Sequence, residues 1–391
     1  MADPDAPRDF RVRDEIGRLL LDSVASVEDA IDTRWRRLRR RLGWTGRPQI
    51  VPYVGYANDR RLWVHGRVLT NPPRELPDPD DSWWDNIAQT YTRFGSDEVP
   101  GVSVEITVGP TQQTVTTDEE GYFHLESSRD PDEVCSAGRE NWTAATMRIV
   151  DHPDVAADAS IVLGRILTPP PSATLGVISD VDDTILHTDV LNIKAMARHT
   201  FFHNARMRLP LAGVASLYQA FQRAGRQPGE SPNPIWYVSS SPWNLHDLLE
   251  DFLDLNDIPD GPLLLRDFGL NRGPKPKGHR HKLEKALTIL ADFPALPFVL
   301  MGDSGQQDAT LYAEAAAAHP EQVRAVLIRD VDPDRVSRHD EKVIAAIEQA
   351  KQVGVPMHLV RDSVEAARIA IDLGLIDAGE LPAIEAATRK R

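Results

Sequence analysis

The strongest constraint on the fold is an alternation of two patterns in the carboxyl-terminal half of the chain. From about residue 174 onward, short apolar runs rich in β-branched residues alternate with longer runs of helical periodicity. Strands that alternate with helices predict a parallel sheet with crossover helices. The predicted strands are Gly176–Ser179, Ile235–Ser239, Leu263–Leu265, Phe298–Met301, Ala325–Ile328 and Met357–Val360, and the predicted helices include 282–291, 308–318, 338–352 and 363–373.

The amino-terminal part of the chain follows other patterns. Residues 10–43 carry apolar residues at steps of three and four, which predicts one long amphipathic helix. From about residue 48 to 168, short segments rich in β-formers predict a small antiparallel β-sandwich. Its predicted strands are Arg61–Leu69, Val102–Val108, a hairpin of Thr114–Thr117 with Tyr122–Leu125, and then Ala144–Val150 and Ala159–Ile166.

These patterns divide the chain into four predicted segments. An amphipathic helix with a basic end covers 1–47, a β-sandwich-like domain covers 48–168, and an α/β domain covers 174–376. Three consecutive prolines at 169–171 predict a stiff spacer between the two domains. We expect the tail, 377–391, to fray.

Composition excludes several classes of protein. The chain has 391 residues with 59 acidic and 44 basic side chains, a net charge of −15. An acidic protein of this kind is not expected to bind nucleic acid. Cys135 is the only cysteine, which rules out disulfides within the chain and favours a reducing cytoplasm. The sequence shows neither a secretory signal nor about 18 consecutive apolar residues, so we expect no transmembrane helix.

Two features of the amino-terminal part leave alternatives open. The arginine-rich stretch Arg34–Arg41 would suit an anionic membrane surface, which would make the protein peripheral at the membrane. The interpretation we favour is a solvated arginine face on a helix packed against the protein, because acidic residues lie just upstream. Trp83 and Trp84 lie in a polar insertion. The interpretation we favour is a lid over the β-sandwich, and the alternative is an exposed contact site.

Polar side chains follow the first of the predicted parallel strands. The sequence Ser-Asp-Val-Asp-Asp-Thr at 179–184 places Asp180 and Asp182 at the carboxyl end of a strand, where open α/β sheets bind ligands. One carboxylate can attack as a nucleophile while the other transfers protons, and both can hold a hard cation. The alternative for this segment alone is an acidic surface turn.

Later strands and one helix add further polar groups. Ser239 follows the strand at 235 and offers a hydroxyl to a phosphate oxygen, and Lys282 starts a predicted helix with its ammonium aimed at the same crevice. The strand at 298 runs into Gly302 and Asp303, with Asp308 five residues further on. Each feature alone is common in turns and on solvated surfaces, so only their combination points to a site.

In this order and at these spacings the residues resemble the four motifs of the haloacid dehalogenase superfamily. The longer segments at 179–185, 236–245, 281–282 and 301–308 are similar to those of the actin-patch phosphatidate phosphatase family and its bacterial relatives. The resemblance covers roughly residues 174–335. It implies a parallel-sheet, haloacid-dehalogenase-like (Rossmannoid) domain with a small or absent cap.

The resemblance also implies a Mg²⁺-dependent phosphomonoesterase with assigned residues. Asp180 would form an aspartyl-phosphate, and Asp182 would protonate the leaving alkoxide and then activate water. Phosphate binding falls to Thr184, Ser239 and Lys282. The metal ligands would be the side chains of Asp180 and Asp303 and the backbone carbonyl of Asp182. Asp308 would either bind the metal itself or contact the residues that do.

Some assignments within this resemblance stay open. Lys277 is the alternative to Lys282 as the phosphate-binding lysine. His279 and His281 are interpreted as loop residues or substrate contacts, since Mg²⁺ prefers oxygen to imidazole. The gaps around the motifs are too short for a full cap domain, and an open site favours a phosphorylated lipid such as phosphatidate. The alternatives are a non-lipid phosphate ester and a catalytically vestigial scaffold.

Overall fold

The computed structural model describes residues 47–70, 98–128, 141–150, 152, 155, 161–181, 211–266, 280–305, 307–331 and 338–389. Several predictions concern residues outside these ranges: the amino-terminal helix with Arg34–Arg41, Trp83 and Trp84, Cys135, Asp182, Thr184, Lys277 and His279. The limits of the four predicted segments stay predictions. Among the helices in the described ranges, none is long and apolar enough to cross a membrane.

The first sheet contains eight strands in the order β1-β3-β2-β8-β7-β4-β5, with β6 on the other edge of β3. Apolar side chains from its strands share one core; in β4, for example, buried Val104, Ile106 and Val108 alternate with half-buried residues. The strands are β1 Gln49–Pro52, β2 Gly55–Ala57, β3 Arg61–Leu69, β4 Ser103–Val108, β5 Thr111–Thr116, β6 Tyr122–Ser128, β7 Trp142–Val150 and β8 Val162–Leu167.

The structure corrects two predictions about this sheet. The sheet is mixed rather than antiparallel, because β2 and β8 pair in parallel. The predicted β5–β6 hairpin is wrong: β5 pairs with β4 across a turn at Gly109, whose φ is 56°, and β6 pairs with β3. The polar, largely exposed strand β5 carries no alternation that would identify its partner.

The second sheet has six strands in the order β11-β10-β9-β12-β13-β14, and all its pairs are parallel. Strands β9 and β12 are buried along their whole length, as expected for apolar strands covered on both faces. The strands are β9 Gly176–Asp180, β10 Ile235–Pro242, β11 Leu263–Arg266, β12 Phe298–Asp303, β13 Val323–Arg329 and β14 Met357–Val360.

Seven helices lie in the described part of the carboxyl-terminal half. All six predicted strands and the four predicted helices named above are confirmed to within three residues at each end. The helices are α1 Val214–Arg223, α2 His246–Leu255, α3 Arg280–Asp292, α4 Asp308–Ala318, α5 Arg338–Gln352, α6 Ser363–Asp372 and α7 Leu381–Arg389. The α/β class is therefore confirmed.

The prediction that the tail frays is wrong. Residues Leu381–Arg389 form α7, and its Ile384 is completely buried against the core of the second sheet. Ion pairs hold the same region at its edges, from Arg223 to Glu380 at 2.6 Å and from Arg368 to Glu385 at 3.0 Å. A short helix with one buried apolar residue is stabilised mainly by docking, which its own sequence pattern does not reveal.

The first sheet region contacts a helix of the carboxyl-terminal half directly, despite the three prolines between the two sheets. Asp292, at the end of α3, accepts hydrogen bonds from Tyr56 at 3.1 Å and from Arg61 at 3.1 Å. The side chain of Asn58 donates to the Asp292 backbone carbonyl at 2.5 Å. Three residues of the first sheet region thus hold the end of a helix that packs on the second sheet.

Because six of its tyrosines are buried, we expect the protein to be less stable at alkaline pH. Burial raises the pKa of six tyrosines above the ordinary value of about 10; they are Tyr53, Tyr56, Tyr122, Tyr218, Tyr237 and Tyr312. Above pH 10 the unfolded chain releases these protons while the folded chain keeps them. The free energy of unfolding should therefore fall with rising pH, by up to about 1.4 kcal/mol per tyrosine and pH unit.

Absorbance at 295 nm and circular dichroism, recorded together between pH 8 and 12, measure this effect. We expect most of the tyrosinate signal to appear together with unfolding. Full tyrosinate absorbance at intact ellipticity would contradict the prediction, because it would show that the folded protein releases these protons.

Candidate active site

The candidate site lies where three neighbouring strands of the second sheet end. Strand β9 lies between β10 and β12, and register pairs join Asp180 to Val238 and Ser179 to Met301. The chain order reverses around β9, and open α/β sheets bind ligands outside the carboxyl ends of strands at such a point. Asp180, Ser239 and Asp303 are therefore brought to one edge of the sheet.

Three carboxylates form a compact cluster at this edge. Asp180 ends β9, Asp303 ends β12 and Asp308 begins α4, and one carboxylate oxygen from each lies within 4.8 Å of the other two. All three side chains are completely buried. Because charged oxygens are costly to bury without a counter-charge, a positive charge beside them would stabilise their ionised form.

Lys282 supplies one positive charge to the cluster. Its Nζ lies 2.6 Å from Asp180 Oδ1 and 2.9 Å from Asp308 Oδ1, and its side chain is completely buried. The lysine is the third residue of α3, whose first turn therefore reaches the carboxyl edge of the sheet. Lys282 is thus one of the predicted site residues that the structure brings together with Asp180.

Ser239 lies in β10, which is longer than predicted. Strand β10 continues to Pro242, with a register shift against β11 between Val238 and Pro242. The Ser239 hydroxyl oxygen accepts a hydrogen bond from the Ser241 backbone N–H at 2.9 Å. Irregularities of this kind re-aim side chains near the ends of strands.

His281 holds this irregular segment from α3. Its Nε2 lies 2.9 Å from the backbone carbonyl oxygen of Ser239, and the side chain is only 8% exposed. His281 is the second residue of α3, so its interpretation as a loop residue is wrong. The helix extends two residues further back than predicted, which places a histidine and a lysine side by side at the site.

Two tyrosines near the carboxylates were not predicted as site residues from the sequence. Tyr312, one helical turn after Asp308 in α4, is completely buried, and burial together with the charge of Asp308 raises the pKa of its hydroxyl well above the usual range. The Tyr218 hydroxyl lies 2.6 Å from Ser179 Oγ, which donates to the Asp180 carbonyl oxygen at 2.8 Å. The four-residue step from Asp308 to Tyr312 was the available signal for the first of these.

Position 302 has no room for a side chain beside Asp308 and Tyr312. A Cβ atom at this position would lie 2.7 Å from Asp308 Cβ and 2.8 Å from Tyr312 Cε2. Gly305 is less restricted, since the nearest atom to its Cβ would be Asp303 Oδ1 at 3.2 Å. The packing around Gly302 therefore sets the position of Asp308.

Gly302→Ala is expected to weaken the site more than Gly305→Ala. Forcing a methyl group into a packed interior costs about 1–3 kcal/mol and here displaces Asp308. Thermal unfolding and the affinity for Mg²⁺ in a calorimetric titration measure the two consequences. A Gly302→Ala protein with both values unchanged would contradict the prediction.

The donor set of the cluster fits a hard divalent cation. Its atoms are carboxylate oxygens from Asp180, Asp303 and Asp308, all buried and within 4.8 Å of one another. Mg²⁺ binds through a small number of carboxylates and retains several waters. Of the predicted site residues, Asp180, Asp303, Asp308 and Lys282 lie together here, and Ser239 follows Val238, the register partner of Asp180. Asp182 and Thr184 lie outside the described residues.

Comparison with known proteins locates the similarity in this half of the chain. Residues 175–330 match the family model described as phosphatidate phosphatase APP1, catalytic domain. The chain is 30% identical over 200 residues to phosphatidate phosphatase APP1 of Saccharomyces cerevisiae, which covers 50% of this chain and 33% of that protein. An uncharacterized protein of Schizosaccharomyces pombe is 29% identical over 163 residues, covering 41% of this chain and 26% of the other.

The chain thus spans about a third or less of the length of these two relatives. A carbohydrate acetylesterase from Xanthomonas citri is among the solved structures that match, with 10% identity and a TM-score of 0.25 over 78% of this chain and 73% of the other. A TM-score this low supports no conclusion. The sequence matches confirm the resemblance to the actin-patch phosphatidate phosphatase family: across residues 175–330 this chain is similar to the catalytic domain of the phosphatidate phosphatase APP1 family.

Proposed function

We propose that this chain is a Mg²⁺-dependent phosphomonoesterase with a haloacid-dehalogenase-like catalytic domain, and that its substrate is phosphatidate or a related lipid phosphate. The observation that carries the proposal is the buried cluster of Asp180, Asp303 and Asp308 with Lys282 between two of the carboxylates. The similarity of residues 175–330 to the APP1 catalytic domain supports the substrate class.

Asp180 is the proposed nucleophile. One of its carboxylate oxygens forms a bond to phosphorus while the bond from phosphorus to the alcohol oxygen breaks, giving an aspartyl-phosphate and an alkoxide. Asp182, two residues further on, gives its proton to that alkoxide. The resulting Asp182 carboxylate then takes a proton from water, whose oxygen attacks phosphorus, releases inorganic phosphate and regenerates Asp180.

Lys282 and Ser239 are the proposed groups that bind the phosphoryl oxygens, with Thr184. Lys282 is held by Asp180 and Asp308, so its position is fixed before substrate arrives. A buried ammonium stabilises the charge spread over the phosphoryl oxygens in the transition state, and it needs little reorganisation at that moment.

Asp180, Asp303 and Asp308 are the described residues that would hold Mg²⁺, together with the Asp182 backbone carbonyl. When bound, the metal neutralises charge on both the nucleophile and the phosphate, which allows two anions to approach. The chain itself fixes the three carboxylates by placing them at the ends of two strands and the first residue of a helix.

Phosphate release from phosphatidate in mixed micelles, with Mg²⁺ or with EDTA, tests the proposed function. We expect release that requires Mg²⁺. Release from p-nitrophenyl phosphate without release from phosphatidate would reject the lipid substrate and keep the chemistry. Release from neither substrate would overturn the proposal and favour a scaffold.

A further inference from the structure

Four aromatic rings from two distant parts of the chain form one stacked block, which we name the four-ring block. Tyr53, just after β1, and His65 of β3 come from the first sheet. Trp243 and His246 come from the short 3-10 turn after β10 and from the start of α2. All four side chains are buried, with exposures between 1% and 8%.

The rings lie nearly parallel and face each other in two pairs. The Tyr53 and His246 centroids are 3.7 Å apart at an interplanar angle of 17°, and those of His65 and Trp243 are 4.1 Å apart at 24°. Within each side the rings are neighbours, at 5.6 Å for Tyr53 and His65 and 5.8 Å for Trp243 and His246. Each pair joins one ring of the first sheet to one ring after β10.

The block lies close in sequence to the candidate phosphate-binding serine. Trp243 comes four residues after Ser239, at the far end of the irregular segment 239–242. The register with β11 shifts within that segment, after Val238, and pairing resumes at Pro242 opposite Arg266. His281 holds the Ser239 end at 2.9 Å, and the four-ring block holds the Trp243 end.

The first sheet also holds the helix that carries Lys282. Asp292, at the last position of α3, accepts hydrogen bonds from Tyr56 and Arg61, and the Asp292 carbonyl accepts one from Asn58. Lys282 lies near the other end of this helix. Both elements that carry phosphate-binding side chains therefore contact the first sheet.

We propose that the first sheet is part of the catalytic unit and that Tyr53 and His65 are positioning residues for the phosphate-binding segment 239–242. This inference rests on the proposed function for its kinetic consequence. Planar rings in close stacking restrict both the separation and the tilt of the elements that carry them. Loss of a ring on the first sheet allows Trp243, and with it Ser239, to shift relative to Asp180.

The first test compares kcat and KM of variants and wild type, with a phosphomonoester that the wild type hydrolyses. His65→Leu and Tyr53→Leu keep apolar bulk but remove the ring, and His65→Phe and Tyr53→Phe keep a ring. We expect the leucine variants to lose about tenfold in kcat/KM, mainly through a higher KM, because a displaced segment binds the phosphoryl group less well. The phenylalanine variants should restore KM.

Met147→Ala is the matched control. Met147 is 1% exposed and lies in the core of the first sheet, whereas Tyr53 and Trp243 belong to the core shared with the second sheet. This variant should melt at a lower temperature with KM unchanged, since partial unfolding lowers kcat and leaves the remaining active molecules normal. A KM that rises equally in the control and in the leucine variants would overturn the positioning role.

Hydrogen exchange gives a second test that needs no activity. We expect peptides that cover Ser239–Trp243 to exchange about tenfold faster in His65→Leu than in the wild type, with the Met147→Ala protein unchanged there. Equal exchange in His65→Leu and wild type would overturn the inference even if the protein is an active phosphatase. Faster exchange in a protein that hydrolyses no phosphate ester would support the positioning and reject only the proposed function.

Discussion

Asp180→Asn is expected to lower kcat for phosphate release by roughly 10³-fold or more, because the variant lacks the proposed nucleophile. The amide has almost the same shape as the carboxylate, so the packing around β9 is preserved. It also removes one of the two carboxylates that contact Lys282. Initial rates with saturating substrate and Mg²⁺, compared with wild type, measure the loss.

Asp260→Asn is the matched control for this variant. Asp260 is a partly exposed carboxylate that pairs with Arg165 at 2.6 Å and precedes β11, away from the carboxyl edge of the second sheet. Its substitution should leave the rate unchanged. An Asp180→Asn protein that keeps more than about a tenth of wild-type activity would exclude Asp180 as the attacking group.

Lys282→Met is expected to reduce both activity and stability. It removes a buried ammonium and leaves Asp180 and Asp308 as buried carboxylates without that counter-charge. Removal of one partner from a buried ion pair costs about 3–5 kcal/mol in the free energy of unfolding. Loss of a charge that stabilises the transition state should lower kcat by about 10²–10³-fold.

Thermal unfolding with EDTA and with Mg²⁺ measures the role of Lys282 as a counter-charge separately from its effect on kcat. In EDTA we expect the variant to melt well below the wild type. Mg²⁺ should raise the melting temperature of the variant by more than that of the wild type, because a divalent cation replaces the missing positive charge. Arg280→Met, an exposed substitution on the same helix, should change neither value. An equal response to Mg²⁺ in variant and wild type would contradict this account of the cluster.

The strands of the second sheet were predictable because each is a short apolar run between turn residues. Strand β14 was predicted at Met357–Val360 and lies there, and β12 was predicted at Phe298–Met301 and ends two residues later. Local patterns determine such elements. Pairing in the first sheet was less predictable, because the partner of a polar strand such as β5 depends on residues distant in sequence.

The same distinction applies to the candidate site. Asp180, Asp303 and Asp308 could be placed from their positions after strands, since parallel strands end at a common edge. The contact of Lys282 with two carboxylates required the structure, and so did the bond from His281 to the Ser239 carbonyl. The four-ring block could not be predicted, since Tyr53 and Trp243 are separated by 190 positions and meet only through tertiary packing.

The contacts of Asp292 have a consequence for proteolysis. A protease that cuts the peptide near Pro171, an exposed residue between the two sheets, would sever the chain without removing the bonds from Tyr56, Arg61 and Asn58 to Asp292. The two fragments should therefore stay together during gel filtration in native buffer and separate only in denaturant. The connection between the sheets would then be noncovalent in a nicked molecule that keeps its shape.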